Sequence, residues 1–208
     1  MFRHFVGLAL VLSLALAGAP AAAQVVCSGG GCQIGPCGCS SSNLIADSPF
    51  ESTTCINWVF VTGASREAKA SFCGGGHHNG LLQENGVNGS EGIYQDVVLP
   101  ATLIHGTGVS SGELDFTLDI QTAETAGAYT KDNLTVEIRN PSTNAVLQTL
   151  TSIDSTSSAS YQCGYVHLTL NGSYSPNQTI RVYFRGSFNN NGAATSFRID
   201  NVFLYPNC

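Results

Sequence analysis

Glu113-Leu114-Asp115-Phe116-Thr117-Leu118-Asp119-Ile120-Gln121 alternates polar and apolar residues without a break. Side chains along a β-strand point to opposite faces in turn. Leu114, Phe116, Leu118 and Ile120 therefore share a dry face, and Glu113, Asp115, Thr117, Asp119 and Gln121 a wet one. Three further stretches repeat the pattern: Leu134, Val136 and Ile138 within 132–139, Val166, Leu168 and Leu170 within 165–170, and Ile180, Val182 and Phe184 within 179–185. Strands with one wet face belong to antiparallel sheets packed face to face, whereas parallel sheets covered by helices read as continuous apolar runs. Turn chemistry separates the stretches: Asn140-Pro141-Ser142-Thr143-Asn144, Asn171-Gly172-Ser173, Ser175-Pro176-Asn177 and Asn189-Asn190-Asn191-Gly192. The expected fold class is all-β, an antiparallel β-sandwich.

The first half is less regular. Strands are expected over 43–46, 58–62, 80–83 and 92–99, with a Gly-rich loop over 74–80 and at most one short helical turn over 65–72. The last strand contains a break in phase. In Ser196-Phe197-Arg198-Ile199-Asp200-Asn201-Val202-Phe203-Leu204, Phe197 and Ile199 face one way and Arg198 and Asp200 the other, yet Val202 and Leu204 continue on the phase of Asp200. A period of two permits that only if the strand bulges at Asp200-Asn201, and an acid at such a bulge is a candidate metal ligand.

Residues 1–23 carry Arg3 and His4, an apolar run from Phe5 to Ala17, and Ala21-Ala22-Ala23, the plan of a secretory signal peptide. No later segment is apolar enough to cross a bilayer, so membrane insertion is not expected. All eight cysteines (Cys27, Cys32, Cys37, Cys39, Cys55, Cys73, Cys163 and Cys208) follow that segment. An even count in an exported chain predicts disulfides. A zinc site from Cys27, Cys32, Cys37 and Cys39 fits poorly, because their gaps of four, four and one residues lack the C-x2-C pairs of zinc ribbons. Eight cysteines admit roughly a hundred pairings, so connectivity is not readable. Without Arg3, seven basic residues face fourteen acidic ones, the opposite of the basic footprint that nucleic acid or an anionic membrane requires. Residues 24–42 are Cys, Gly and Ser rich, with too little apolar surface to fold alone; 43–208 is long enough for one sandwich domain.

Asn43-Leu44-Ile45, Phe50-Glu51, Trp58 and Tyr94-Gln95-Asp96-Val97-Val98-Leu99-Pro100, taken with the second half, resemble the galactose-binding-like jelly-roll domains of secreted bacterial proteins. In the second half the likeness rests on Leu114-Asp115-Phe116, Asp132-Asn133-Leu134-Thr135-Val136, Leu147-Gln148-Thr149-Leu150, Val182-Tyr183-Phe184 and Phe197-Arg198-Ile199-Asp200-Asn201-Val202. The resemblance implies a jelly roll of the carbohydrate-binding-module or peptidase-associated type over about 43–204. It also implies a structural Ca²⁺ held between Glu51 and Asp200, the hard carboxylate oxygens that ion takes. Asn201 departs from the pattern, standing where the family frequently has a second acid.

Signatures of catalysis are missing: no G-x-S-x-G elbow and no His-Glu-x-x-His helix. Asp115 and Asp119 read as a solvated strand face, His77-His78 as an exposed pair in a loop, and His167 as solvated. No enzyme activity is expected. Glycan binding is what the fold supports best, since sugars need aromatic platforms and planar polar groups. Tyr165 and His167 on one strand, and Arg181, Tyr183 and Arg185 on another, line one shallow groove if those strands are neighbours. Tyr129 is a loop-borne ring that could join them, and Trp58 is expected in the core. The opposing account of the Tyr and Arg side chains is ordinary pairing with Asp115, Asp119 and Glu137.

The expected function is thus a secreted, extracellular or cell-surface binding module for carbohydrate or another surface component. The alternative is a structural subunit that self-associates through its Cys-rich N-terminal segment in a surface assembly or filament.

Overall fold

The computed structural model describes residues 26–27, 32–33, 43–52, 57–73, 76–84, 88–100, 112–125, 131–172, 174–189 and 193–206. In chain order the strands are β1 (Val26–Cys27), β2 (Cys32–Gln33), β3 (Val59–Val61), β4 (Ser65–Phe72), β5 (Gly76–Gln83) and β6 (Gly89–Val98). They continue as β7 (Gly112–Thr122), β8 (Asn133–Arg139), β9 (Val146–Asp154), β10 (Gly164–Leu170), β11 (Thr179–Phe188) and β12 (Thr195–Pro206). A 3₁₀ helix, Ser155–Ser160, joins β9 to β10, capped by the Asp154 carboxylate on the Thr156 amide at 3.0 Å. Two five-stranded antiparallel sheets result, ordered β10-β7-β12-β5-β4 and β3-β6-β11-β8-β9. The chain is a jelly-roll sandwich, as its alternation predicts. β1 and β2 pair only with each other and bring Cys27 and Cys32 into register.

The dry faces meet between the sheets. Leu114, Phe116 and Leu118 of β7 are fully buried, as are Leu134, Val136 and Ile138 of β8 and Ile180, Val182 and Phe184 of β11. Phe116 meets Phe184 of the facing sheet edge-on at 5.1 Å. Burying one such ring stabilises the fold by about 1.5–3 kcal/mol. Trp58 lies in this core, stacked on Phe50 at 4.5 Å, with its indole N–H donating to the Asp47 carbonyl.

The expected bulge is present. Asp200 pairs with Thr117 and Phe203 with Asp115, so Asn201 and Val202 together oppose Phe116 alone. Asn201 takes a left-handed φ of 49°, a region that Asn tolerates better than most residues. Phase then inverts: Val202 and Leu204 are fully buried, and Phe203 and Tyr205 turn outward.

Four expectations need correction. Residues 65–72 form β4 rather than a helical turn, and 76–80 belong to β5 rather than to a loop, because the two strands pair in one hairpin. Residues 43–46 form no strand; Asn43 instead ties the opening segment to β12, accepting from the Leu204 amide at 2.8 Å and donating to the Val202 carbonyl. Asp115 and Asp119 lie on an outer face but are only 7% exposed. Their charges are met locally: Asp115 by His167, and Asp119 by the Gln121 amide and, at 3.9 Å, by Arg198.

The cysteine expectation is met in part. Cys73 and Cys163 form a disulfide, Cα–Cα 5.1 Å, while the side chains of Cys27 and Cys32, and all of Cys37, Cys39, Cys55 and Cys208, lie outside the described residues. β4 and β10 are opposite edges of one sheet, four strand spacings or about 19 Å apart in a flat sheet. Cys73 directly follows β4 and Cys163 directly precedes β10, so the bond ties the two edge strands of this sheet together. Among the described residues no helix is long and apolar enough to cross a membrane.

Candidate functional site

Two sites are candidates. The first is the pair of carboxylates the resemblance singles out. Glu51 accepts from the His77 and His78 amides at 2.5 and 2.9 Å and meets His78 Nδ1 at 3.0 Å. The His78 imidazole, against the cost of burial and together with the two amides, holds the Glu51 carboxyl down at about 2. Asp200 is fully buried; the Asn201 amide donates to Oδ1 at 2.7 Å, and Oδ2 has no hydrogen-bond partner. Burial pushes Asp200 up to about 7 against the pull of that amide, and Glu51 adds repulsion.

Gly76 separates the two acids. A Cβ on it would sit 2.5 Å from Glu51 Oε1 and 3.5 Å from Asp200 Oδ2. The turn beside the bulge, whose Ser48 carbonyl accepts from the Val202 amide, leaves Asp47 Oδ2 and Ser48 Oγ buried without partners as well. The unpartnered Asp200 oxygen beside Glu51 is the hard donor type a divalent cation takes, although among the described residues no three His, Cys, Asp or Glu side chains group together, and Asn201 supplies no second charge.

The second site is the outer face of β10, β7 and β12 beyond the bulge. His167 and Phe203 both pair with Asp115, Tyr205 pairs with Glu113, and Tyr165 with Thr117. His167 Nδ1 lies 2.7 Å from Asp115 Oδ1. Tyr165 is 66% exposed, yet its hydroxyl is tucked against Asp115. Burial of that hydroxyl, then the bond to Asp115, raise it well above the usual phenol range. Phe203 and Tyr205, two apart on one strand, hold their rings parallel to within 2° at 6.1 Å. Three aromatic rings thus flank Asp115 and Glu113.

Arg181, Tyr183 and Arg185 do not join this face. β11 belongs to the other sheet, so the groove expected from adjacent strands does not form. On their own face the tyrosines are covered: Arg181 lies 3.8 Å over Tyr94 and Arg139 lies 4.0 Å over Tyr183, which is only 8% exposed. Arg181 grips Asp96 through Nε and Nη2 at 2.7 and 2.9 Å, and Arg139 and Arg185 share Glu137. This is cross-strand pairing of the kind weighed above, with Glu137 as expected but with Asp96 in place of Asp115 and Asp119, and it covers Tyr94 and Tyr183. Tyr129 lies outside the described residues.

Phe203 and Tyr205 were not among the expected site residues. Their signal was present in the phase break, because the inversion that buries Val202 and Leu204 must expose the residues between and after them.

No family model matches the chain, and no curated protein matches it. Solved structures do. TmCBM61 in complex with β-1,4-galactotriose superposes with a TM-score of 0.52 at 13% identity, over 79% of this chain and 98% of that one. The arabinose-bound MgGH51 α-L-arabinofuranosidase gives 0.52 at 14% identity, over 83% of this chain and 27% of that enzyme. This chain therefore spans nearly all of the first and about a quarter of the second. At these identities the likeness is one of fold: a β-sandwich jelly roll of the kind found in carbohydrate-binding modules.

Proposed function

We propose that this chain is a secreted, non-catalytic module that binds carbohydrate through the outer face of β10, β7 and β12. Tyr165, Phe203 and Tyr205 stack on the C–H faces of sugar rings, while Glu113, Asp115 and His167 bond hydroxyls. The observation that carries this reading is the convergence of three outward aromatic rings on two carboxylates across adjacent strands. The signal-like N-terminus and the Cys73–Cys163 disulfide support export.

A glycan array on the oxidised chain tests it, with β-1,4-galactan included because TmCBM61 was solved with galactotriose. Binding to at least one glycan, weakened about tenfold or more by Tyr165→Ala, is expected; a factor of ten corresponds to about 1.4 kcal/mol. Uniform silence on the array, with covalent ladders on a non-reducing gel, would favour the structural-subunit alternative instead.

Ca²⁺ at Glu51 and Asp200 belongs to the same proposal. When bound, the ion neutralises Asp200 and fastens the 47–52 turn to the bulge of β12, a structural role. Calorimetric melting with and without a chelator tests this: the melting temperature should fall on chelation in the natural chain and stay put in Asp200→Asn.

A further inference from the structure

We propose that the face on β7, β10 and β12 selects glycans carrying free amino groups, of the glucosamine-polymer kind, over their neutral or acidic counterparts. This rests on the glycan-binding reading above and concerns the charge of the sugar it takes.

Charge and aromaticity on this face point the same way. Asp115 and the part-exposed Glu113 lie between Tyr165 on one side and Phe203 and Tyr205 on the other. Register puts these groups on one stretch of the sheet: Tyr165 opposite Thr117, His167 and Phe203 on either side of Asp115, and Tyr205 opposite Glu113. Ring faces carry negative potential and attract a cation placed over them, and carboxylates beside them add to the pull. Carboxylates with no aromatic neighbours would read as a solvated edge; the exposed Tyr165 ring and the part-exposed Phe203 and Tyr205 make this a surface on which a pyranose can lie.

No fixed positive charge competes. After Arg3 the chain has seven Lys and Arg residues: Arg66 and Lys69 on β4, Lys131 before β8, Arg139 on β8, Arg181 and Arg185 on β11, and Arg198 on β12. None is on β7, on β10 or on β12 beyond the bulge. Arg198 is the nearest along the sheet, opposite Asp119, about 13 Å from Asp115 by strand rise. It is already engaged by Glu67 at 2.7 Å, and 13 Å exceeds the screening length of about 8 Å at physiological salt. Among the described residues of β7, β10 and β12 beyond the bulge, His167 is the single basic side chain, and it contacts Asp115. A uronate or sulfate would meet the part-exposed Glu113 carboxylate backed by Asp115, which His167 already engages, whereas a protonated 2-amino group is drawn to Glu113.

Isothermal titration of the oxidised full chain decides the matter, using a fully deacetylated chitosan hexamer, its N-acetylated counterpart and a galacturonate hexamer. At 50 mM salt the amino hexamer should bind about tenfold or more tighter than the acetylated one, with no detectable binding of the galacturonate. Glu113→Gln should cut that ratio about threefold or more, weakening the amino hexamer by a larger factor than the acetylated one, and Tyr165→Ala should weaken both sugars. Equal affinity for amino and acetylated hexamers, or tighter binding of galacturonate, overturns the inference and leaves glycan binding standing. Binding of hexalysine as tight as the amino hexamer overturns it too, because the face would then read charge without the sugar. Silence toward all three, together with silence on the glycan array, overturns the inference and the glycan reading beneath it.

Discussion

Removing the Cys73–Cys163 cross-link is the perturbation whose size follows most directly from the structure. The bond joins residues 90 apart in sequence. Closing a loop of that length in the unfolded chain removes entropy worth about 4.5 kcal/mol at 25 °C. Both cysteines sit at left-handed φ, 47° and 58°. Serine keeps the Cβ and hence the same backbone cost, so Cys73→Ser/Cys163→Ser isolates the cross-link. The double variant should lose about 3–5 kcal/mol in equilibrium urea unfolding followed by circular dichroism. Its melting temperature should drop by about 10–15 °C, at about 2–4 °C per kcal/mol for a chain of this size. The m-value should rise, since the freed chain exposes more surface when unfolded. A loss below about 1 kcal/mol with an unchanged m-value would refute the reasoning. It would mean that other cross-links already restrict the unfolded ensemble.

Three further outcomes are expected. Arg198 donates to Glu67 at 2.7 Å, and although burial opposes it, this pairing holds the Glu67 carboxyl below its ordinary value of 4.5. A lowered folded value means the stabilisation is present above pH 4.5 and fades as pH falls toward the folded value. Glu67→Gln should therefore cost about 1.5 kcal/mol in urea unfolding at pH 7, and the cost should shrink as the pH is lowered below 4.5. Gly92→Ala puts a Cβ 2.1 Å from Tyr183 Oη, so the ring must leave its place between Tyr94 and Arg139. It should cost about 1–3 kcal/mol and leave glycan binding unchanged; lost binding would put the site on the wrong sheet. At the bulge, Asn201→Val forces a β-branched residue to φ 49° and should cost about 1–2 kcal/mol by thermal melting, while Asn201→Gly should be close to neutral.

The parts of the fold that could be read in the chain were those governed by one strand at a time. Leu114 to Ile120, Leu134 to Ile138 and Ile180 to Phe184 alternate because each strand has a core side, and the apolar residues of all three are buried. Residues 65–72 were harder. Ser65-Arg66-Glu67-Ala68-Lys69-Ala70 carries little β-branched or aromatic signal, and it is a strand because β5 pairs with it. Asp115 and Asp119 were misjudged for a related reason. Alternation tells which face a residue is on, whereas burial of that face depends on which strands flank it and what they carry.

The candidate site divides along the same line. The amino-acid sequence by itself determined the all-β class, the turns, an acid at a bulge near Asp200, and the outward phase of Phe203 and Tyr205 that the bulge imposes. These are matters of period and local backbone geometry, which neighbouring residues settle among themselves. Only the tertiary structure decided that β10 and β11 lie in different sheets, which separates Tyr165 and His167 from Arg181, Tyr183 and Arg185. It alone placed Phe203 and Tyr205 across Asp115 and Glu113 from Tyr165, and covered Tyr94 and Tyr183 with guanidinium groups. Strand order is a long-range choice, set by how ten strands share one core, and a period of two carries no record of it.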